Sequence, residues 1–333
     1  MYGLYDKKNL NLIILQILWE HTDADHSLQQ QQIVKILKNE YGIEIDRRSV
    51  KNNVEALKNM FEGTAYEIST EKGYCLLGRG FDDSELRMLI DSVLFSKTIS
   101  QKQAKNLVNK LKDMSSKYFS AKVQHICNLP ELQHSDNKQI MYVIDTLNDA
   151  ITSEKKVAFI YNEYRTDFKL HPKREERYVV NPYQMVANNG RYYLIGNYDK
   201  YDDVSHYRID KITDIEILDK KAKDIKLISE LEKGLNLPKH MAEHIYMFSG
   251  GSTHIRFRAN KCIMTELIDW FGKDFRIVQE TEEQLELCVK CNEEAMKYWA
   301  LQYGPYVEVL EPKHLRERVR EAVSSMAEKY KNE

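Results

Sequence analysis

The sequence has few cysteines, no long apolar run and no leader-like start, and each shortage excludes a class of protein. Five cysteines in 333 residues are too few and too scattered for a disulfide framework, which favours a reducing compartment. The longest strongly apolar stretch, residues 12–19, is far shorter than the roughly 20 residues of a bilayer span. Residues 1–6 lack the basic segment and the small-residue cleavage site of a signal peptide. We therefore expect a cytoplasmic protein.

The sequence also lacks an excess of either charge, because 49 lysines and arginines are balanced by 51 acidic residues, for a net charge of −2. A global basic field is therefore absent, and any nucleic-acid binding must come from local patches. The content of 42% hydrophobic and 30% charged residues fits a soluble protein with real cores rather than a disordered or fibrous chain. Tandem repeats and low-complexity segments are lacking, and the length predicts two or three domains.

Helical periodicity dominates residues 1–80, where apolar residues recur in three segments. Ser27 is predicted to cap the second of these helices and Asp46 the third. Two short strands, residues 66–68 and 74–77, follow and form a hairpin. Helices in this order followed by a β-hairpin are typical of a winged helix-turn-helix.

The third predicted helix has the side chains of a recognition helix near its N-terminal end. Val50, Val54 and Leu57 point inward, which leaves a polar set exposed near the helix start. That set consists of Arg47, Arg48, Ser49, Lys51 and Asn52. Arginine can bind guanine bidentately, asparagine can bind adenine, and serine or lysine can bind phosphate. With Lys72 on the hairpin, this set predicts binding to double-stranded DNA, and a solvated helix is the alternative.

The middle of the chain is predicted to connect two functional parts. Residues 81–150 show helical spacing, with a capping box at Ser100 and Gln103 and no catalytic grouping, so they are interpreted as a helical linker. Residues 151–222 change to period two in short β-branched and aromatic runs, with a tight turn at residues 188–190. This pattern predicts a small barrel or meander.

The last part of the chain, residues 223–333, alternates strand and helix patterns in the order β-α-β-β-α-β, followed by a closing helix. This order is typical of a ferredoxin-like sandwich. His254, Arg256 and Arg258 alternate with apolar residues on the first strand and therefore share one face. We interpret this face as solvated, with a secondary nucleic-acid contact or a dimer surface as the alternative. The whole chain is thus predicted to be an α+β multidomain protein.

Three ordered motifs within residues 178–212 carry a family resemblance. They are Tyr178-Val-Val-Asn-Pro-Tyr183, Arg191-Tyr-Tyr-Leu-Ile-Gly196 and His206-Tyr-Arg-Ile-Asp-Lys-Ile212. With these motifs and the flanking segments, the chain resembles the WYL-domain transcriptional regulators that have a DeoR-like winged helix in front and a C-terminal WYL-associated (WCX) domain. Tyr192 stands where the family has tryptophan, and Lys211 stands where it has arginine.

The resemblance implies an Sm/SH3-like β-barrel that senses a polar or anionic ligand, such as single-stranded nucleic acid or a nucleotide. Cations beside aromatic platforms are what single strands bind. The residues expected to face the ligand are Tyr161, Asn181, Tyr193, His206, Arg208 and Lys211. Nine of the 21 tyrosines lie between residues 161 and 207, and about half of this aromatic cluster is expected to be core packing instead.

Two motifs resemble metal sites but are interpreted otherwise. His240 to His244 matches the inverted zincin pattern H-x-x-E-H. A zinc peptidase needs this motif on a long buried helix with a third ligand, however, and this segment has room for only two or three turns. Cys288 and Cys291 lie three positions apart on a predicted strand and therefore point to opposite faces. We expect no metal and no cofactor.

Together these patterns predict a cytoplasmic, ligand-responsive transcription factor without enzymatic activity. It is expected to be a repressor that binds an inverted-repeat operator as a homodimer. The predicted domains are a winged helix-turn-helix at 1–80, a helical linker at 81–150, a WYL sensor barrel at 151–222 and a ferredoxin-like WCX domain at 223–333. A zinc-dependent peptidase that uses the H-x-x-E-H segment and a sequence-nonspecific nucleic-acid binder are the alternatives.

Overall fold

A computed structural model describes residues 9–123, 135, 137–273 and 275–331. The chain divides into two compact units, Met1–Asp136 and Asn137–Glu333. Each unit combines α-helices with antiparallel β-structure, so the predicted α+β class is confirmed. The finer division into four domains stays a prediction. Within the described ranges, no helix has both the length and the apolar composition that crossing a bilayer requires.

In the first unit, three helices and a β-hairpin share one apolar core. Ile14, Ile17, Leu37 and Val54 are completely buried in this core. Because apolar residues recur at helical spacing, one face of each helix turns inward. Three further helices follow the hairpin. The elements in chain order are α1 (Leu10–His21), α2 (Gln30–Tyr41), α3 (Arg47–Phe61), β1 (Tyr66–Ser69), β2 (Cys75–Arg79), α4 (Asp83–Phe95), α5 (Gln101–Lys112) and α6 (Lys117–Lys122).

The predicted cap of α2 is wrong, because a contact distant in sequence decides where this helix begins. The N-cap is Gln29 rather than Ser27, since a β-bridge to Tyr74 of the hairpin holds Leu28 extended. The Ser27 hydroxyl instead donates a hydrogen bond to the carbonyl oxygen of Lys72 at 3.0 Å. The hairpin therefore fixes the start of α2.

The other two predicted caps are confirmed. The Asp46 carboxylate accepts a hydrogen bond from the backbone N–H of Ser49 at 2.7 Å and so begins α3. Ser100 and Gln103 form the capping box that begins α5. Both signals act over three residues, which is why the sequence alone reveals them.

The second unit begins with α7 (Ile140–Thr152), followed by six antiparallel strands. They pair in the order β4-β3-β5-β6-β7, and β8 also pairs with β3. The predicted turn is confirmed, because Asn189 and Gly190 have φ angles of 49° and 72°, as a two-residue type I′ hairpin requires. A short 3-10 helix, Ile209–Lys211, joins β7 to β8. The strands are β3 (Lys155–Tyr164), β4 (Leu170–Pro172), β5 (Tyr178–Asn188), β6 (Arg191–Tyr198), β7 (Val204–Arg208) and β8 (Ile212–Lys221).

The rest of this unit has a four-stranded antiparallel sheet in the order β10-β11-β9-β12. All six elements of the predicted β-α-β-β-α-β order are present. Phe257, Leu287 and Trp299 are completely buried in its core. The elements are α8 (Leu237–Glu243), β9 (Ser252–Asn260), α9 (Met264–Phe271), β10 (Arg276–Glu280), β11 (Gln284–Asn292), α10 (Glu293–Gln302), β12 (Val307–Glu311) and α11 (Lys313–Lys329).

The core around Trp299 gives a stability prediction. Its buried ring lies 5.5 Å from Phe257 and 4.8 Å from Phe271, measured between ring centroids. Trp299→Ala should lower the free energy of unfolding by about 3–5 kcal/mol, because it leaves a cavity. Trp299→Phe should cost clearly less, since it keeps a ring and removes an indole N–H that has no hydrogen-bond partner in the described part of the chain. Urea unfolding followed by circular dichroism checks both variants, and equal losses would contradict this account.

Candidate DNA interface and ligand site

The start of α3 presents the predicted DNA-contacting residues to solvent. Val50 and Val54 are completely buried and fix which face of the helix turns inward. Four residues of the predicted set are exposed and one is partly buried. The exposed residues are Arg47, Arg48, Lys51 and Asn52, and the partly buried residue is Ser49. Lys51 also forms an ion pair with Glu55 at 3.7 Å, which is a surface contact of little energetic value.

The hairpin contributes Lys72 to the same surface. Lys72 is exposed, and its carbonyl oxygen accepts the hydrogen bonds that anchor the hairpin turn to Ser27 and Gln29. Gly73 has a φ of 122°, and a Cβ atom at this position would lie 2.8 Å from the Ser27 hydroxyl oxygen, so the turn requires glycine. A surface cavity of about 630 Å³ is lined by both Arg47 and Lys72. The fold therefore brings these two cations to one groove.

In the second unit, a buried carboxylate organises two arginines. Asp210 is completely buried in the 3-10 helix after β7. It accepts two hydrogen bonds from Arg208, at 2.7 and 3.1 Å, and one from Arg191 at 3.1 Å. A buried carboxylate requires such partners, because an unpaired charge in the interior is very costly. Asp210 thus fixes both guanidinium groups while leaving each side chain about a quarter exposed, at 23% for Arg191 and 24% for Arg208.

Positive charge exceeds negative charge around Asp210. Burial lowers the pKa of Lys211; the charges of Arg208, Lys173 and Arg191 lower it further, and that of Asp210 raises it. Several cations therefore act on Lys211 against a single carboxylate. Such a group can bind an anion, because the anion would relieve the repulsion. We call Arg191, Arg208, Lys211 and Asp210 the cation group.

Two of the predicted tyrosines lie beside the cation group. Tyr193 on β6 pairs directly with Arg208 on β7, and burial raises its pKa. The hydroxyl oxygen of Tyr161 accepts a hydrogen bond from the backbone N–H of Arg208 at 3.1 Å, and burial raises its pKa to about 12. Tyr161 also packs edge-on against Phe159 and Tyr207. Tyr193 is therefore the better candidate for ligand contact, and Tyr161 supports the backbone of β7.

The remaining two predicted ligand residues are occupied by protein partners. Asn181 is completely buried, and its amide donates hydrogen bonds to Asn197 at 2.9 Å and to Asp199 at 3.1 Å. His206 is buried as well, and its Nε2 lies 2.8 Å from Nε2 of His240. These contacts, with partners distant in sequence, remove both side chains from the cation group.

The structure separates the two cysteines of one metal-like motif and brings a third histidine to the two histidines of the other. Cys288 is partly exposed and Cys291 is buried on β11, which agrees with opposite faces of a strand. His240 and His244 lie at α8, a helix of only seven residues, and His206 of β7 joins them. The third histidine is 34 residues away from the motif, so no spacing rule could have revealed it.

The family comparison bears on the second unit. Residues 142–217 match the family model of the WYL domain, and residues 252–327 match the model of the WCX domain. The chain carries a WYL domain and a WCX domain. No curated protein sequence is similar to the chain at a significant level.

Two solved structures match nearly the whole length of this chain at low sequence identity. One is "Proteasome accessory factor B/C (PafBC) of Arthrobacter aurescens", with a TM-score of 0.31 and 13% sequence identity, which matches over 99% of this chain and 51% of its own length. The other is a "CRISPR Cas-related protein", with a TM-score of 0.39 and 14% identity, which matches over 98% of this chain and 81% of its own length. The chain therefore spans about half the length of the first of these proteins.

Within the WYL domain, two members of the cation group are not among the predicted ligand-facing residues. The sequence identifies Arg191 only as a source of positive charge near the ligand, and it does not single out Asp210. Asp210 could have been identified from its position between Arg208 and Lys211, because a carboxylate there can accept hydrogen bonds from the neighbouring arginine. Arg191 approaches it only because β6 and β7 pair.

In the WCX domain, the basic face of β9 is largely neutralised. Arg256 pairs with Glu311 at 2.9 Å, and Arg258 pairs with Glu308 at 2.9 Å. Glu286 of β11 lies within 4.0 Å of both arginines. This pairing favours the interpretation of a solvated face over that of a nucleic-acid contact.

Proposed function

We propose that the protein is a sequence-specific DNA-binding transcriptional repressor that acts in the cytoplasm as a homodimer and responds to an anionic ligand. One observation carries this proposal: a capped helix exposes arginines and an asparagine beside a hairpin lysine, in a chain that carries a WYL domain and a WCX domain. These two domains fit a family of DNA-binding regulators. No enzymatic activity is part of the proposal.

The first unit would bind the operator as a DeoR-like winged helix. Arg47, Arg48 and Asn52 would reach base edges in the major groove, since the N-terminal residues of a recognition helix make these contacts. Ser49 and Lys51 would bind phosphates beside them. Lys72 on the hairpin would bind phosphate or the adjacent minor groove. The groove shared by Arg47 and Lys72 supports a single, continuous DNA-contacting surface.

The WYL domain would sense the ligand through the cation group. Arginine forks bind phosphate bidentately, and Arg191 and Arg208 are held in place by Asp210. Lys211 would add a third cation and Tyr193 a stacking face for a base. The proposed ligand class is therefore a nucleotide or single-stranded nucleic acid. Asn181 and His206 are left out, because both side chains are buried as well as bonded to protein partners, whereas the two arginines remain partly exposed.

The ligand would act by shifting a population between two states of the dimer. A ligand changes such an equilibrium only by as much as its affinities for the two states differ. The sensing group and the DNA-contacting residues belong to different units of the chain, so the two activities should be separable by mutation. This separability distinguishes a regulator from a protein that simply binds nucleic acid.

Selection from random DNA duplexes tests the proposal. The full chain should recover an inverted repeat, because a symmetric dimer presents two equal recognition helices. An even spread of sequences, with binding that falls steeply as salt rises, would support the nonspecific nucleic-acid binder instead.

The surroundings of Glu243 disfavour the peptidase alternative. Its carboxylate pairs with Lys290 at 3.2 Å and with Lys239 at 3.8 Å, and a glutamate held in this way is poorly suited to act as the general base of a zinc peptidase. A casein digestion assay should show no cleavage.

A further inference from the structure

Three buried imidazoles meet where β7 approaches α8. One ligating nitrogen from each of His206, His240 and His244 lies within 4.8 Å of the others. The closest pair, Nε2 of His206 and Nε2 of His240, is 2.8 Å apart. Two nitrogens bound to a tetrahedral Zn²⁺ lie about 3.4 Å apart at the usual bond lengths. The observed separations span this value, so small side-chain movements would allow all three rings to bind one ion.

The outer nitrogens of two rings are fixed by the protein. Nδ1 of His206 and Nδ1 of His244 lie 3.0 and 3.3 Å from the carbonyl oxygen of Phe248. A carbonyl can only accept, so both rings donate from Nδ1–H, which makes Nε2 the acceptor atom of each neutral ring. Nε2 of His206 then accepts a hydrogen bond from Nε2–H of His240, and a metal ion would replace this hydrogen bond. This arrangement, in which a backbone carbonyl orients the imidazole, is the usual outer environment of histidine ligands in metal sites.

Two buried acceptor atoms, Nε2 of His244 and Oε2 of Glu230, face each other in this group, and Nζ of Lys290 lies 3.7 Å from the other carboxylate oxygen of Glu230. Nε2 of His244 and Oε2 of Glu230 are 3.6 Å apart, and neither has a hydrogen-bond partner in the described part of the chain. The His244 side chain is completely buried and that of Glu230 is 13% exposed. Polar atoms left unpaired in the interior are costly. An ion bound between the imidazoles would satisfy His244 and would lie close enough to Glu230 for attraction.

We propose that His206, His240 and His244 bind one divalent transition-metal ion, for which Zn²⁺ is the best fit. Imidazole nitrogens suit zinc, and three of them leave a fourth position for water or a carboxylate. Glu230 supplies the neighbouring negative charge. The ion would tie strand β7 of the WYL domain to α8, the segment that precedes the WCX domain. The proposal does not depend on the proposed regulatory function.

Metal binding by the purified full chain tests this site. After treatment with a chelator and dialysis, titration with ZnCl₂ should give one ion per chain. At zinc concentrations about a hundred times Kd, the Tm should rise by roughly 5–10 °C, because the ion binds only the folded state. With CoCl₂, the visible absorption should be that of a four-coordinate rather than a six-coordinate ion. Failure to bind zinc, or a six-coordinate cobalt spectrum, would overturn the proposal.

Variants separate this site from adventitious binding. His244→Gln and His240→Gln should each weaken zinc affinity by about 100-fold or more, since even the loss of an outer-shell partner costs 10–100-fold. His314→Gln is the matched control, because this histidine lies on α11 with a 62% exposed side chain and should bind zinc like the unchanged protein. Equal losses in the control would refute the site. Should a His240 or His244 variant fail to fold, the zinc stoichiometry and the cobalt spectrum of the unchanged chain decide.

Discussion

Replacing Arg47 and Arg48 together with alanine should weaken binding to the selected operator by roughly 30-fold to more than 1,000-fold. Each bidentate contact between arginine and guanine contributes about 1–3 kcal/mol of discrimination, and two such contacts are removed. Both side chains are exposed, so the fold should not change. Fluorescence anisotropy with a labelled operator duplex at fixed salt measures the loss, and an unchanged Tm verifies folding.

The matched control for this prediction lies on the same helix. Lys58 is exposed near the C-terminal end of α3, far from the helix start, and Lys58→Ala should leave operator affinity within a few-fold of the unchanged protein. The comparison with a scrambled duplex is equally informative. If the double arginine variant lost affinity for operator and scrambled DNA by the same factor, the arginines would contact only phosphate, and sequence reading would have to be assigned elsewhere.

Local signals explain why the start of α3 could be predicted from sequence. Asp46 and Ser49 interact over three residues, and the inward face is set by helical spacing of valine and leucine. The start of α2 could not be predicted in this way, because the bridge between Leu28 and Tyr74 spans 46 positions of the chain. The two cases differ only in the sequence separation of the deciding contact.

The ligand site was predictable only in part for the same reason. Arg208 and Lys211 could be identified because their motif is continuous in sequence. Asn181 belongs to the first family-like motif and is predicted to face a ligand, but the pairing of β5 with β6 places it against Asn197. A polar side chain inside a sheet can face either solvent or a buried partner, and only the register decides between them.

The histidines show the strongest dependence on tertiary structure. His240 and His244 are four positions apart and were recognised as a motif, whereas His206 was predicted to belong to the ligand site on β7. The structure joins the three because the segment after β8 returns to β7, where Ser249 accepts a hydrogen bond from the backbone N–H of His206. A metal site assembled from two distant segments has no fixed spacing, so composition and motif rules could not predict it.

Replacing Arg208 and Lys211 together with alanine should abolish the response to ligand while operator affinity in the absence of ligand survives. Charge-assisted hydrogen bonds contribute about 1.5–3 kcal/mol each, so the affinity for a short oligo-dT strand should fall by about 100-fold or more. The measurement has two parts, binding of labelled oligo-dT and release of labelled operator as oligo-dT is added. Asp210 keeps Arg191 as a partner, so the variant should fold with a lowered Tm.

The control for this variant must remove the same charge from the same unit. Lys200 and Lys220 are exposed, so Lys200→Ala combined with Lys220→Ala loses two positive charges without touching the cation group. It should bind oligo-dT almost as the unchanged protein does, since exposed charges contribute little at physiological salt. An equal loss of oligo-dT affinity in both double variants would show that the WYL domain attracts the strand only through its overall positive charge. Loss of operator affinity together with ligand response, in the Arg208 and Lys211 variant alone, would mean that one surface performs both tasks, and the separation of sensing from DNA reading would be wrong.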